Sequence, residues 1–126
     1  MAAKPPPARP RVLVVEDDDD AREALCLFLS LSGYEVRGAA DGREGLRRAL
    51  LWRPDAVITD IGLPGLDGWV LGRRLRRWLG EGVLLVALTA FDHPPDEARS
   101  LEAGFDRHLA KPAGPRELLA LLGEAT

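Results

Sequence analysis

Short apolar runs alternate along the chain with segments whose apolar residues recur at helical spacing. The runs VLVVE (12–16), DAVITD (55–60) and VLLVALTA (83–90) are continuous and rich in β-branched residues, which is typical of strands buried on both faces. Two less apolar runs, YEVRGAA (34–40) and DRHLAK (106–111), are predicted to be further strands. The pattern therefore predicts five strands.

The segments between these strands are predicted to be helices. The first is expected to begin at Asp20, where Glu23 has the spacing of a capping box, and to end before Gly33, a natural C-terminal cap. Asp18 and Asp19, just before it, are interpreted as solvated turn residues. The other helices are predicted in DGREGLRRALLWR (41–53), Trp69–Leu79, FDHPPDEARSLEAG (91–104) and GPRELLALLGEA (114–125).

Strands that alternate with helices imply right-handed crossovers and a parallel sheet covered on both faces. Five such units predict an α/β flavodoxin-like doubly wound (βα)5 fold, with a five-stranded parallel sheet of order 2-1-3-4-5. Residues 11–124 are predicted to form this domain, and the Pro-rich residues 1–10 a linker or tail. In this architecture, binding sites lie at the carboxyl ends of the strands.

Composition narrows the class of protein. The chain has 126 residues, 46% hydrophobic and 29% charged, with a net charge of −3, which gives no general attraction to nucleic acid. Cys26 is the only cysteine and fits a reducing cytosol, and no apolar run is long enough to span a bilayer. We therefore expect a cytoplasmic domain without membrane insertion or direct nucleic-acid binding. The arginine-rich GRRLRRW (72–78) is interpreted as a solvated helix face.

Five polar residues stand at or just after the ends of predicted strands: Glu16, Asp17, Asp60, Thr89 and Lys111. In the predicted strand order these ends are neighbours, so three carboxylates, one hydroxyl and one ammonium share a pocket. Three close carboxylates stay ionised only beside a cation, and such hard oxygen donors suit Mg²⁺. With a lysine and a threonine, the pocket has the groups needed to stabilise a phosphoryl group, and a carboxylate in it can act as the nucleophile.

These residues lie in four motifs: VLVVED (12–17), VITDIGLPGLDGW (57–69), VALTA (86–90) and HLAKP (108–112). In their order and spacing, the chain resembles the receiver domains of two-component response regulators over roughly residues 11–124. The resemblance implies that Asp60 accepts a phosphoryl group from a phosphohistidine on a histidine kinase or histidine phosphotransfer protein.

The resemblance also implies roles for the surrounding groups. Mg²⁺ would be held by Asp17 directly, by Glu16 through water, by Asp60 and by the backbone carbonyl of Gly62. Thr89 and Lys111 would each contact a phosphoryl oxygen, and the Lys111–Pro112 peptide bond is expected to be cis.

Three positions depart from the usual family pattern. His108 stands where family members usually have a Tyr or Phe that follows the threonine as a switch, although histidine also occurs there. A Thr89–His108 switch with a weaker or pH-sensitive output is therefore expected. Gly62 and Phe91 lie two residues beyond Asp60 and Thr89, where polar side chains often direct water onto the acyl phosphate. We therefore predict slow autodephosphorylation.

Two alternative functions remain open from the sequence. An aspartyl-phosphate enzyme of the phosphatase type needs a second acid two residues after its nucleophile, and Gly62 occupies that position. A degenerate receiver, acting only as an interaction surface, is disfavoured by the complete set of polar residues. The protein is expected to be a stand-alone regulator or the C-terminal receiver of a hybrid histidine kinase, with the hybrid favoured. No independent turnover is expected, although the resemblance implies that the domain catalyses its own phosphorylation.

Overall fold

The structure is a computed structural model that describes residues 10–63, 66–89 and 102–123. Its strands are β1 Arg11–Val15, β2 Glu35–Ala39, β3 Ala56–Asp60, β4 Leu84–Thr89 and β5 Arg107–Ala110. Its helices within these ranges are α1 Asp19–Leu31, α2 Gly42–Trp52, α3 Gly68–Leu79 and α4 Pro115–Gly123. The helix predicted over 91–104 lies almost wholly outside the described residues. Within the described ranges, no helix combines the length and apolar character that crossing a bilayer requires.

The five strands form one sheet in the order β2-β1-β3-β4-β5, and every neighbouring pair is parallel. This confirms the predicted fold class and strand order. The central strand β3 pairs with β1 through Ile58 opposite Val14 and with β4 through Asp60 opposite Leu88. Because all strands run the same way, the residues that follow them meet at one edge of the sheet.

Alternate residues of each strand pack into two separate cores because both faces of the sheet are covered. On one face, Leu13 and Val57 pack with residues of α2 and α3, such as Leu71. On the other, Val14 and Ile58 pack with residues of α1 and α4. All of these side chains are fully buried, which explains why the strands have continuous apolar sequences rather than alternating ones.

The N-cap of α1 lies two residues earlier than predicted, at Asp18 instead of Asp20, so the assignment of the cap was wrong. Asp18 has an extended conformation and accepts a hydrogen bond from the Ala21 N–H at 2.8 Å, whereas Asp20 lies inside the first turn. The cause is the short connection: β1 ends at Val15, and the chain turns into the helix within three residues. The expected C-terminal end is confirmed by Gly33, whose φ of +102° suits glycine.

Candidate functional site

Glu16 and Asp17 lie in the short loop between β1 and α1. The Glu16 N–H donates to the Ala39 carbonyl at 3.0 Å, which extends the strand pairing by one residue. The Glu16 carbonyl accepts from Arg22 at 2.8 Å. Glu16 is buried, at 5% exposure, and Asp17 is exposed. The loop therefore places one carboxylate inside the sheet edge and the next one at its surface.

Asp60 is the last residue of β3, and its two carboxylate oxygens have different partners. Oδ1 accepts from the Gly62 N–H at 3.1 Å, and Oδ2 accepts from Lys111 Nζ at 2.8 Å. The side chain is 14% exposed. These two bonds hold the carboxylate in one orientation while keeping it accessible from the edge of the sheet.

Lys111 follows β5 directly and joins three strand ends. Its Nζ donates to Glu16 Oε1 at 2.7 Å and to Asp60 Oδ2 at 2.8 Å, and its backbone N–H donates to the Thr89 carbonyl at 2.8 Å. The expected cis bond between Lys111 and Pro112 is confirmed. Lys111 was expected to contact a phosphoryl oxygen; its place between two carboxylates was not predicted, because it depends on contacts across the whole sheet.

The electrostatics of the pocket follow from burial and from this central ammonium. Burial raises the pKa of Glu16 above its ordinary value, with further contributions from Asp17 and Asp60, and Lys111 only partly opposes the rise. Burial alone would lower the pKa of Lys111, but its bonds to Asp60 and Glu16 raise it. The lysine is thus kept charged, and the pocket has an excess of negative charge.

The three predicted metal ligands converge. One carboxylate oxygen from each of Glu16, Asp17 and Asp60 lies within 4.8 Å of the other two. Carboxylate oxygens at this spacing, with the pKa of Glu16 raised by its burial, fit a small hard cation such as Mg²⁺. Gly62 is exposed beside Asp60, where its carbonyl is available as a further oxygen donor.

Thr89 and His108 lie on neighbouring strands at this edge. Thr89 is the last residue of β4, is 7% exposed, and its Oγ1 donates to the Leu109 carbonyl at a long 3.5 Å. His108 pairs with Ala87 across β4 and β5. Its Nε2 atom is buried and has no hydrogen-bond partner among the described residues. Phe91, the other residue predicted to influence the site, lies outside the described residues.

An apolar groove of about 680 Å³ opens beside the pocket. It begins at Glu16 and Lys111 and continues between α1 and α4, where its walls are mainly apolar. The wall residues from α1 and α4 include Ala24, Leu25, Phe28 and Leu118. The α1 residues recur at the helical spacing seen in the sequence, but Ala24 is exposed and Leu25 and Phe28 are only half-buried. The apolar pattern of α1 therefore lines an open surface as well as the core.

Arg22 is the residue near this site that the sequence did not single out. It contacts the Glu16 carbonyl and also Asp19, from which it is separated by one helical turn. The only available signal was this spacing of opposite charges in the first turn of a helix, which is common on exposed helices. Asp19 was predicted to be a solvated turn residue; in the structure it is an exposed helical residue paired with Arg22.

Comparison with known proteins identifies the family to which this chain is similar. The profile of the family described as response regulator receiver domain matches residues 12–123. The response regulator MprA of Mycolicibacterium vanbaalenii is 44% identical over 110 residues, 87% of this chain and 47% of the relative. The transcriptional regulatory protein PrrA of Mycobacterium tuberculosis is 45% identical over 111 residues, 88% of this chain and 47% of the relative. The chain thus spans about half the length of the curated relatives it matches.

Solved structures match over nearly the whole chain. The chemotaxis protein CheY4 of Vibrio cholerae is 30% identical, with a TM-score of 0.85 over 94% of this chain and 100% of that one. A CheY-like receiver domain protein from Methanospirillum hungatei is 31% identical, with a TM-score of 0.85 over 92% of both chains. The fold and the family resemblance expected from the sequence are therefore confirmed.

Proposed function

The chain belongs to the response regulator receiver domain family, and from this premise we propose that Asp60 is its phosphoacceptor. The observation that carries the proposal is the Asp60 carboxylate at the open end of β3, held by Gly62 and Lys111 through different oxygens. In the proposed step, a carboxylate oxygen of Asp60 bonds to the phosphorus of a phosphohistidine. The phosphorus–nitrogen bond breaks, and the imidazole leaves with the electron pair.

Lys111 and Thr89 stabilise the charge on the transferring group in this proposal. Lys111 Nζ lies between Glu16 and Asp60, where it can pair with a phosphoryl oxygen once Asp60 is phosphorylated. The Thr89 hydroxyl has only a long bond to the Leu109 carbonyl and can exchange it for a phosphoryl oxygen. Glu16, Asp17, Asp60 and the Gly62 carbonyl would hold Mg²⁺, which would neutralise charge on the carboxylates and the phosphoryl oxygens.

We assign the switch to Thr89 and His108. Movement of the Thr89 side chain toward a phosphoryl group would change the space beside β5, where His108 lies. The buried Nε2 of His108 has no hydrogen-bond partner among the described residues, which favours a change of position, because a buried polar atom without a hydrogen bond is unfavourable. The acyl phosphate is proposed to be long-lived, since Gly62 has no side chain to orient an attacking water.

The phosphoryl donor in this proposal is a histidine kinase or a histidine phosphotransfer protein. The apolar groove supports a protein donor, because it begins at Glu16 and Lys111 and exposed apolar surface of this kind is typical of protein contacts. The proposal also includes a kinase domain that is linked covalently to this receiver. The receiver itself is proposed to make no direct contact with nucleic acid and to be located in the cytoplasm. Residues 11–124 form the receiver unit, and residues 1–10 its linker or tail.

We also infer that the domain is not an independent turnover enzyme. A phosphatase that uses an aspartyl-phosphate would need an acid in the place of Gly62, and the glycine has no group that can transfer a proton. A purely degenerate receiver does not need a lysine bonded to two carboxylates at the strand ends. The arrangement around Lys111 therefore favours a functional phosphoacceptor over both alternatives.

The test is to incubate the protein with Mg²⁺ and acetyl phosphate and to measure the mass of the intact chain. We expect the wild type to gain one phosphoryl group and Asp60→Asn to gain none. Asp20→Asn, which changes an exposed acid of α1, is the matched control and should be phosphorylated like the wild type. No gain with acetyl phosphate or other small donors, together with no binding of beryllofluoride, would overturn the proposal.

A further inference from the structure

The peptide unit that links Glu16 to Asp17 is held from outside the loop. The Glu16 N–H donates to the Ala39 carbonyl at 3.0 Å, so β2 fixes the position of the Glu16 backbone nitrogen. The Glu16 carbonyl accepts from Arg22 Nη1 at 2.8 Å. This carbonyl and the Asp17 N–H share one rigid plane, because the peptide bond does not rotate. The Cα atoms of Glu16 and Asp17 also lie in this plane, so the Arg22 contact orients the backbone atoms that carry both acidic side chains.

The same guanidinium also reaches the first turn of α1. Arg22 Nη2 donates to Asp19 Oδ1 at 2.6 Å, and the arginine side chain is only 18% exposed. Arg22 thus joins the loop backbone to the helix start through two nitrogens of one planar group. An ammonium has a single nitrogen, so a lysine at this position would not reproduce both contacts in the same geometry.

Gly38, in the middle of β2, makes room for this arginine. A Cβ at position 38 would lie 3.1 Å from Arg22 Cδ and 3.2 Å from Cγ. Both distances are shorter than ordinary van der Waals contact, so a side chain there would require the arginine stem to shift by a few tenths of an ångström. Glycine weakens a strand, and in a strand it often marks the close approach of another group. Here that group is the stem of Arg22.

We propose that Arg22 is a positioning residue for the cation site, which it serves by fixing the peptide plane between Glu16 and Asp17. The inference rests on the proposed function and deepens it, because it identifies what orients two of the cation ligands. Arg22 itself contacts neither the phosphoacceptor nor Lys111 in the described contacts. Its positive charge opposes cation binding, whereas its geometric effect favours it, so the two effects have opposite signs.

The experiment is a calorimetric titration of the purified protein with Mg²⁺. We expect Arg22→Gln, which removes the charge and the paired contacts, to bind Mg²⁺ about tenfold more weakly than the wild type, as is common when a residue that orients a metal ligand is lost. Gly38→Ala keeps every charge but displaces the arginine stem, and should weaken binding in the same direction by a smaller factor. The affinity of Arg22→Lys for Mg²⁺ should lie between those of Arg22→Gln and the wild type.

Arg73→Gln is the matched control, because it removes an exposed arginine on the other face of the sheet. It should bind Mg²⁺ like the wild type. Repeating the titrations in about 0.5 M salt screens the charge effect and leaves the geometric one, so the loss in Arg22→Gln should persist or grow. Thermal unfolding of each variant shows that it is folded at the titration temperature.

The outcomes separate the inference from the proposed function. If the wild type binds Mg²⁺ and is phosphorylated on Asp60, but Arg22→Gln and Gly38→Ala bind Mg²⁺ as tightly as the wild type, the positioning role is wrong and the proposed function stands. If the wild type neither binds Mg²⁺ nor becomes phosphorylated, the proposed function is wrong and the inference is overturned with it.

Discussion

At the amino end of the sheet, Asp55 joins the starts of the strands, whereas at the carboxyl end Lys111 lies between Glu16 and Asp60. Asp55 accepts from the backbone N–H of Arg11 at 2.7 Å, and Arg11 Nη1 donates to the Trp52 carbonyl at 2.7 Å. Charged side chains there bond mainly to the backbone, although Arg11 also pairs with Glu35 and Arg76 with Asp106. At the carboxyl end, charged side chains bond mainly to one another.

This difference separates a structural use of charge from a functional one. Backbone groups need permanent partners, so the contacts of Arg11 and Asp55 have no reason to change. The carboxylates around Lys111 outnumber their cation, and two of them, Asp17 and Asp60, are accessible at the sheet edge. Such a cluster can exchange its internal bonds for bonds to a ligand. The presence of charged residues therefore does not distinguish a binding site from a structural contact, whereas the bonding partners of those residues do.

The largest expected effect lies at the amino end. Trp52 is 6% exposed, packs in the core beneath α2 and has the Arg37 guanidinium 4.7 Å from its ring centre. Trp52→Ala should lower the free energy of unfolding by about 3–5 kcal/mol, because it leaves a large cavity. Urea unfolding measures this loss. Phosphorylation by acetyl phosphate at a temperature where the variant is folded should be unchanged.

Trp78→Ala provides the matched control for that prediction. Trp78 is 61% exposed, so its removal should change the free energy of unfolding by no more than about 0.5 kcal/mol. If Trp52→Ala is folded but is no longer phosphorylated by acetyl phosphate, the two ends of the sheet are coupled. That result would contradict the distinction between structural charges at the amino end and ligand-binding charges at the carboxyl end.

The next largest effect is expected at the carboxyl end, on the rate of phosphorylation. Lys111→Met removes the ammonium that contacts Asp60, and should slow phosphorylation by acetyl phosphate by about 10²–10³-fold, as expected for the loss of a group that stabilises developing charge. Intact-mass measurements over time give the rate. Arg116→Met, an exposed change on α4, should leave it unaltered. A Lys111→Met rate within a few-fold of wild type would contradict the assigned role.

The smallest effect is a dependence of stability on pH. The pKa of Glu16 is raised by burial above its ordinary value of 4.5. The stability that this group contributes is therefore present below about pH 4.5 and is lost as the pH rises through the folded pKa. Without metal, Glu16→Gln should be more stable than wild type at neutral pH, and the advantage should shrink toward pH 4.5. Urea unfolding in EDTA at several pH values checks this, and a pH-independent difference would count against it.

The amino acid sequence was sufficient to predict the five strands and which polar residues follow them at one edge of the sheet. The continuous apolar runs predicted the strands because a sheet covered on both faces needs apolar residues at every position. The residues after those runs, Glu16, Asp17, Asp60 and Lys111, meet at one edge as predicted, since parallel strands all end on the same side. This part of the prediction needs only local patterns and chain direction.

The cap of α1 needed more than the local pattern. The spacing of Asp20 and Glu23 resembles a capping box, yet Asp18 is the cap. The same acid spacing is used at α2, where Asp41 accepts from the Glu44 N–H at 2.8 Å. The two cases differ in where the preceding strand leaves the sheet, and that point depends on pairing with other strands.

Only the tertiary structure decided which charges meet. Lys111 and Glu16 are 95 positions apart along the chain, and their bond exists because β5 and β1 lie in the same sheet on either side of β3 and β4. Arg22 bonds to the Glu16 carbonyl because Gly38, on a third segment, leaves space for its stem. The sequence by itself determined which groups stand at the sheet edge; their pairing required the packed fold, because bonds between distant residues depend on distances that only the assembled sheet defines.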